Sequence, residues 1–354
     1  MIKRVVPTIR DVAHAAGVSP ATVSNVLGKR KPVAPVLAER VRRACADLGY
    51  RVHRAASQLR SGRAKVVVAL VPSLENPFFT SLVASLERSA ETEGYEIIVG
   101  SSAECEATEA SRLAALLSWR PAGVIIVPCR DAFASRDLLA AERVPFVVVD
   151  RVADDARDDC VTIDNAAAGA SAAEHLVALG HRDILVAASS LGLANIRERC
   201  GAIAEVVGRV PGGRVEVLEL GSAFDIAAER MEARMRSGPL PGAAIAVSNY
   251  TTMALLASLT RFGARVPEDV SLVGFDDYAW MRAYRPPITA VRQPIDAIAA
   301  EAWRWLAARI QDSEAPRGRT ELRTELEIRQ STRSVGSASD RKAAALIRKR
   351  EGAR

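Results

Sequence analysis

The sequence predicts an α/β protein: a small helical head followed by two lobes, each wound on a parallel sheet. Three observations carry this. Residues 8–27, TIRDVAHAAGVSPATVSNVL, read as two short helices with a glycine turn between them. From Lys65 onward, apolar runs of strand length alternate with helical stretches through two successive series. Charge is also unevenly shared. Residues 1–62 carry 12 Lys and Arg against 3 acidic residues, a net +9, whereas residues 63–336 carry 30 against 37, a net −7. A basic head on an acidic body is the electrostatic footprint of a nucleic-acid-binding module joined to something else.

In the head, Thr8 and Asp11 have the spacing of a capping box, and Ile9, Val12, Ala13 and Ala16 then share one helical face. Gly17 ends that helix, because glycine takes a left-handed stop without steric cost. Ser19 caps a second helix with Pro20 at its first position. Val23, Val26 and Leu27 face inward, leaving Ala21, Thr22 and Asn25 on an outer, hydrogen-bonding face. Such a pair suits insertion into a DNA major groove, although an ordinary αα-hairpin in a core has the same marks. A basic turn with Lys29, Arg30 and Lys31 follows, either along a phosphate backbone or simply solvated. A third helix is expected over residues 35–48, with Val41, Ala44, Cys45 and Leu48 on one face and Gly49 as its stop. The stretch 50–62 reads as a linker containing one or two helical turns around residues 55–60.

Apolar runs predict strands at residues 66–72, 96–102, 123–128 and 145–150, with helices at about 79–93, 106–119 and 135–142 between them. The pattern restarts with a helix at about 166–179, a strand near 181–189 and helices at about 197–208, 226–237 and 251–262, each followed by another apolar run. Two doubly wound sheets in series place the loops at their strand C-termini around a shared cleft, where ligands bind. The segment 289–333, with a helix at 295–310, is expected to cross back and complete the first lobe. The basic, alanine-rich tail 337–354 lacks a leucine heptad series. Domains are therefore expected at 1–62, 63–336 and 337–354.

The chain of 354 residues is 49% hydrophobic and 25% charged, as in a soluble globular protein. No apolar run is long enough to span a bilayer. MIKRVVPTIRD carries basic residues but no apolar segment, so no secretion signal and a cytoplasmic location are expected. Five widely spaced cysteines without a CxxC fit reduced thiols and offer no zinc site. Neither cofactor nor metal is expected. His14, His53, His175 and His181 are scattered, and no nucleophile elbow, HExxH or P-loop is present, which argues against an enzyme.

Taken in order, the motifs VAxxAGVSxxTVS (residues 12–24), AAxxL (55–59), NPFF (76–79), VDR (149–151), DN (164–165), EHLxxLGH (174–181), VPEDVSLVGFDD (266–277) and PPITAVRQP (286–294) resemble bacterial transcription regulators of the lactose-repressor (LacI/GalR) family. The resemblance covers nearly the whole chain. It implies a helix-turn-helix head with a hinge, and a two-lobed periplasmic-binding-protein-like body. It also implies a homodimer that binds double-stranded, near-palindromic operator DNA, one head on each half-site. Carried over by position, Pro20, Ala21 and Asn25 match residues that face base edges. Thr8, Ser19, Thr22, Ser24 and Tyr50 match phosphate contacts, and Leu59 matches a hinge leucine that wedges into the minor groove. The linker departs from the usual Tyr-x-Pro-Asn, reading Tyr50-Arg51-Val52-His53, and Ser57 replaces a frequent arginine.

The same carry-over makes Phe78, Phe79 and Phe224 aromatic walls of an effector cleft, and Arg151, Asn249 and Asp276 its polar ligands. Where the family has Arg-x-x-Gly, this chain has Cys200 three after Arg197 and Gly201 two after Arg199, so both arginines are candidates, with Arg197 preferred. Tyr250 replaces a usual aspartate, and Trp280 either covers the cleft or packs. The implied effector is a small sugar, sugar acid or similar molecule, a purine being the other option. It would act by favouring one lobe arrangement over another, inducing or corepressing. A transport binding protein shares the two-lobed fold, but it would carry an export signal and no basic helical head.

Overall fold

The computed structural model describes residues 7–28, 31–50, 65–131, 133–153 and 157–336. The hinge around Leu59, Lys29 and Arg30 of the basic turn, and the tail 337–354 lie outside the described residues. The chain divides into two compact units, Met1–Ala64 and Lys65–Arg354.

In the first unit α1 (Ile9–Ala16), α2 (Pro20–Gly28) and α3 (Pro35–Leu48) surround one small core. The capping box is present: Thr8 N donates to Asp11 Oδ2 at 2.7 Å, and Thr8 Oγ1 accepts from Asp11 N at 3.4 Å. Gly17 closes α1 at φ 61°, in the left-handed region that glycine tolerates. Ser19 Oγ accepts from Thr22 N at 3.1 Å and so caps α2, an interaction worth about 1 kcal/mol. Val12, Ala13, Ala16, Val23, Val41 and Ala44 are buried together. Leu48, expected on the inner face of α3, is instead 39% exposed. It is the last residue before the Gly49 stop, and Cys45 before it and Tyr50 after it are the side chains that pack against the core.

The second unit contains two six-stranded sheets. The first runs β11–β5–β4–β3–β1–β2, with β1 (Val66–Val71), β2 (Glu96–Ser101), β3 (Gly123–Ile126), β4 (Phe146–Val149), β5 (Cys160–Ile163) and β11 (Arg319–Leu322). The second runs β12–β10–β9–β8–β6–β7, with β6 (Asp183–Ala188), β7 (Arg214–Glu219), β8 (Ala243–Ala246), β9 (Ser271–Phe275), β10 (Thr289–Arg292) and β12 (Glu325–Glu327). The two orders match strand for strand, except that β11 joins its sheet in parallel and β12 in antiparallel fashion. Helices α4 (Pro77–Thr92), α5 (Glu106–Leu117) and α6 (Arg136–Ala141) serve the first lobe. Helices α7 (Asn165–Ala178), α8 (Ala194–Gly208), α9 (Phe224–Ser237), α10 (Asn249–Arg261) and α11 (Ala279–Ala283) serve the second.

The first sheet therefore has a fifth strand, β5, that the sequence pattern does not announce. CVTI is only four residues long and less uniformly apolar than the other runs, although the Asp158-Asp159 and Asp164-Asn165 pairs on either side of it are turn residues. The late segment does not simply return to the first lobe either. β10 stays in the second sheet, α12 (Ile295–Gln311) packs on α4 and the first sheet, β11 joins the first sheet and β12 the second. The chain thus crosses between lobes three times, at 163–165, 292–295 and 322–325. No helix among the described residues is long and apolar enough to cross a membrane.

Candidate functional site

Between the lobes, at the C-terminal ends of β1, β4, β6 and β9, lies a cavity of about 50 Å³. Its first-lobe wall begins with the helix start NPFF. Asn76 caps α4 by accepting from Phe78 N at 3.0 Å, and Pro77 fills the first helical position. Phe78 and Phe79 are almost wholly buried and meet edge to face, with ring centroids 5.3 Å apart. The Arg151 guanidinium lies 5.5 Å from the Phe79 ring. Both of its terminal nitrogens are committed to Glu104, each at 2.7 Å. Burial disfavours the Arg151 charge, but the paired Glu104 carboxylate outweighs this and holds its pKa above the ordinary value.

The centre of the cavity is Arg199, 3% exposed. Its Nε donates to Asn165 Oδ1 and its Nη1 to Val247 O, both at 2.9 Å, and the guanidinium stacks 4.1 Å from the Phe275 ring. Nη2 has no hydrogen-bond partner among the described residues. Asp150, at the end of β4, and Asp276, at the end of β9, flank this cation from opposite lobes. Burial raises both carboxyl pKa values, with Arg199 opposing the shift, and the same burial lowers that of Arg199. Asp150 has φ 65° and Asp276 φ 79°, left-handed conformations that cost an L residue roughly 1 kcal/mol or more and concentrate at functional sites. Asp276 accepts from Gln293 Nε2 at 2.6 Å and from Asn249 N at 3.1 Å. Gln293 Oε1 and Asn195 Oδ1, both on the cavity wall, are also without hydrogen-bond partners among the described residues.

Of the residues expected here, Phe78, Phe79, Arg151 and Asp276 line the cavity. Arg197, Phe224 and Asn249 do not. Arg199 faces the cavity while Arg197, two positions earlier on α8, points away from it and bonds Asp131. Two residues turn a helix by about 200°, so only one of the pair can face inward. Phe224 opens α9 and packs on the second-lobe core, with Ser222 on the wall in its place. Asn249 is fully buried behind the wall, where its Oδ1 accepts from Trp280 Nε1 at 3.2 Å. Trp280 is thus a packing residue. Sequence reasoning passed over Glu104, Asp150, Asn195 and Gln293. Asp150 and Gln293 were within reach, since each lies inside a family motif, VDR and PPITAVRQP. The DN pair also gains a reason: Asp164 caps α7 by accepting from Ala167 N at 2.7 Å, and Asn165 holds Arg199.

In the head, Ser19, Pro20 and Ala21 are exposed and Thr22, Ser24 and Asn25 half-buried along α2. Thr8 and Ser19 act as helix caps, and the Ser19 and Thr22 hydroxyls are 2.9 Å apart. Tyr50 packs against the head core.

Residues 8–52 match the family model described as "Bacterial regulatory proteins, lacI family", and residues 173–332 match "Periplasmic binding protein-like domain". The HTH-type transcriptional regulator PtxS of Pseudomonas plecoglossicida is 33% identical over 327 residues, spanning 92% of this chain and 95% of that protein. The chain belongs to the lacI family of bacterial regulatory proteins. The HTH-type transcriptional repressor PurR of Pasteurella multocida is 28% identical, over 92% of this chain and 99% of its own. Among solved structures, a Lac repressor dimer bound to operator and the anti-inducer ONPF matches with a TM-score of 0.80 at 26% identity, over 93% and 99% of the two chains. A complex of the regulator CelR with cellobiose matches with a TM-score of 0.70 at 28% identity, over 92% and 99%. This lacI-family protein is accordingly a ligand-responsive transcriptional regulator, with a DNA-binding and an effector-binding domain, and its relatives are regulators rather than enzymes.

Proposed function

We propose that this regulator binds a near-palindromic operator as a homodimer, acting as a repressor, and that a small sugar or sugar acid in the inter-lobe cavity controls it. The observation that carries the effector reading is the set of polar atoms around Arg199. The two N–H groups of buried Arg199 Nη2 and two buried acceptors, Asn195 Oδ1 and Gln293 Oε1, converge with hydrogen bonds still to make. A buried polar atom left unpaired costs about 1–3 kcal/mol, so a ligand that donates and accepts at closely spaced positions is favoured. A polyol does both. Three carboxylates, Glu104, Asp150 and Asp276, line the cavity against two guanidiniums, which favours a neutral sugar over an acid. By the roughly 10–15 Å³ that one water needs, the cavity holds only a handful of waters, so a sugar ring enters with the lobes apart.

In the head, Pro20, Ala21 and Asn25 are proposed to face base edges, and Asn25 suits bidentate pairing with adenine. Thr8, Ser19, Thr22, Ser24 and Tyr50 are assigned to phosphates and Leu59 to the minor groove. The Lac repressor neighbour, a dimer on its operator, supports this arrangement.

The test is thermal denaturation of the full-length chain against a panel of neutral pentoses, hexoses, disaccharides and their acids. At least one member should raise the Tm, and Arg199→Leu should remove that shift. A panel with no stabilising member, or a shift that survives Arg199→Leu, contradicts the reading.

A further inference from the structure

Arg197 takes part in a contact between the lobes. Its Nη2 donates to Asp131 Oδ2 at 2.7 Å and its Nη1 to Leu191 O at 3.0 Å. Asp131 belongs to the opposite lobe, on the loop that follows β3. Its other oxygen, Oδ1, accepts from Ala194 N at 2.9 Å. Ala194 is the first residue of α8, and Leu193 before it supplies no side-chain cap. The N-terminus of α8 therefore takes its acceptor from across the cleft. A carboxylate suits that position twice over, filling an orphan N–H and meeting the positive end of the helix dipole.

We infer that Asp131 is a positioning residue, which caps α8 from the first lobe so that lobe closure completes the helix presenting Asn195 and Arg199 to the cavity. Asp131 and Arg197 both stand off the cavity wall. The loop that carries Asp131 is braced at both ends. Buried Glu109 accepts from Cys129 N and from Ser135 Oγ, each at 2.7 Å, and Arg151 Nη1 donates to Cys129 O at 3.4 Å. Cys129 and Ser135, on either side of Asp131, are thus anchored within the first lobe. Of the two bonds that Asp131 makes, the cap matters more. The Arg197 side chain is 49% exposed, and an ion pair so open to water contributes little.

Opening the lobes withdraws Asp131 and returns the Ala194 N–H to water. A ligand that favours the closed arrangement and this cap therefore stabilise one another. The coupling goes beyond the effector reading, and the cap can be tested with no ligand at all, so the two can fail separately.

The experiment is hydrogen exchange on the full-length protein, followed by mass spectrometry over residues 191–199, with residues 123–126 of β3 as the reference segment. Asp131→Ala should speed exchange in 191–199 about fivefold, the usual consequence of a lost cap, while leaving 123–126 unchanged. Asp131→Asn keeps an acceptor oxygen for Ala194 N and should stay within about twofold of the parent, as should Arg197→Ala. Unchanged exchange in Asp131→Ala would overturn the inference. Exchange in Asp131→Asn as fast as in Asp131→Ala would overturn it as well. Acceleration that spreads through 123–126 would mean that the loop supports its own lobe rather than α8, and that too would overturn it.

Discussion

Gly169 lies on α7 where that helix packs backbone to backbone against α8. A Cβ added there would sit 2.4 Å from Arg199 O, 2.9 Å from its Cα and 3.0 Å from its carbonyl carbon. Ordinary contact needs about 3.5 Å, so the helices must part by roughly 1 Å. All three atoms are backbone, and no side-chain rotation relieves them. Overpacking of this kind costs about 1–3 kcal/mol, here at the upper end, while replacing a helical glycine by alanine returns about 1 kcal/mol. Gly169→Ala should therefore destabilise the two-lobed body by about 2 kcal/mol. Gly201, also helical and on α8, meets nothing within 4 Å of an added Cβ. Gly201→Ala should keep only the propensity gain and stabilise by up to about 1 kcal/mol. All four tryptophans, Trp119, Trp280, Trp303 and Trp305, lie in the body, so their fluorescence follows its unfolding without the head. With a urea m-value of about 3 kcal/mol per molar, the midpoint should fall by roughly 0.7 M for Gly169→Ala and rise by roughly 0.3 M for Gly201→Ala. If both substitutions raise the midpoint, the close packing that places Arg199 is not as described.

Leu59→Ala should weaken operator binding while leaving ligand affinity nearly intact, and equal affinities in a gel-shift titration would remove Leu59 from the interface. The basic head, at +9 over residues 1–62, should give steeply salt-dependent DNA binding. Six neutralised phosphates correspond to a slope of about −5 in log K against log salt, and a flat plot would argue against phosphate contacts. Burial lowers the pKa of His175 below the ordinary 6.5 of a histidine, with His181 adding to the shift. The unfolded chain then binds the proton more readily, so stability is full above about pH 6.5 and declines as pH falls below it. His175→Gln should flatten the urea midpoint between about pH 7.5 and 5; an unchanged slope would assign the acid sensitivity elsewhere.

Much of the architecture is written locally. Capping boxes, glycine stops and uninterrupted Val/Ile/Ala runs are short-range signals, and they mark α1, α2, β1, β3 and β4 with small boundary errors. What escapes such signals is settled by partners distant in sequence. β5 is recognisable only beside β4 and β11, and β11 and β12 split between sheets although two residues separate them. The site shows the same division. Phe78, Phe79, Arg151 and Asp276 follow strand ends and can be picked out by position. The choice between Arg197 and Arg199 depends on which face of α8 meets the cleft, and that is fixed by Gly169 and Asn165 on a neighbouring helix. Asn249 and Phe224 have suitable chemistry, but they turn into the second lobe.

For this protein to work as a regulator, a metabolite held between the lobes must change how the head engages DNA. Duplexes selected from a random pool with the full-length protein, then titrated by fluorescence anisotropy with and without the stabilising sugar, put that requirement to trial. The expected result is a dyad-symmetric consensus and an affinity that the sugar shifts about fivefold or more in one direction, in the usual range of allosteric coupling. Arg199→Leu should bind the same duplex but be insensitive to the sugar. Selection of no symmetric sequence, or a DNA affinity that no body-stabilising metabolite alters, would contradict it.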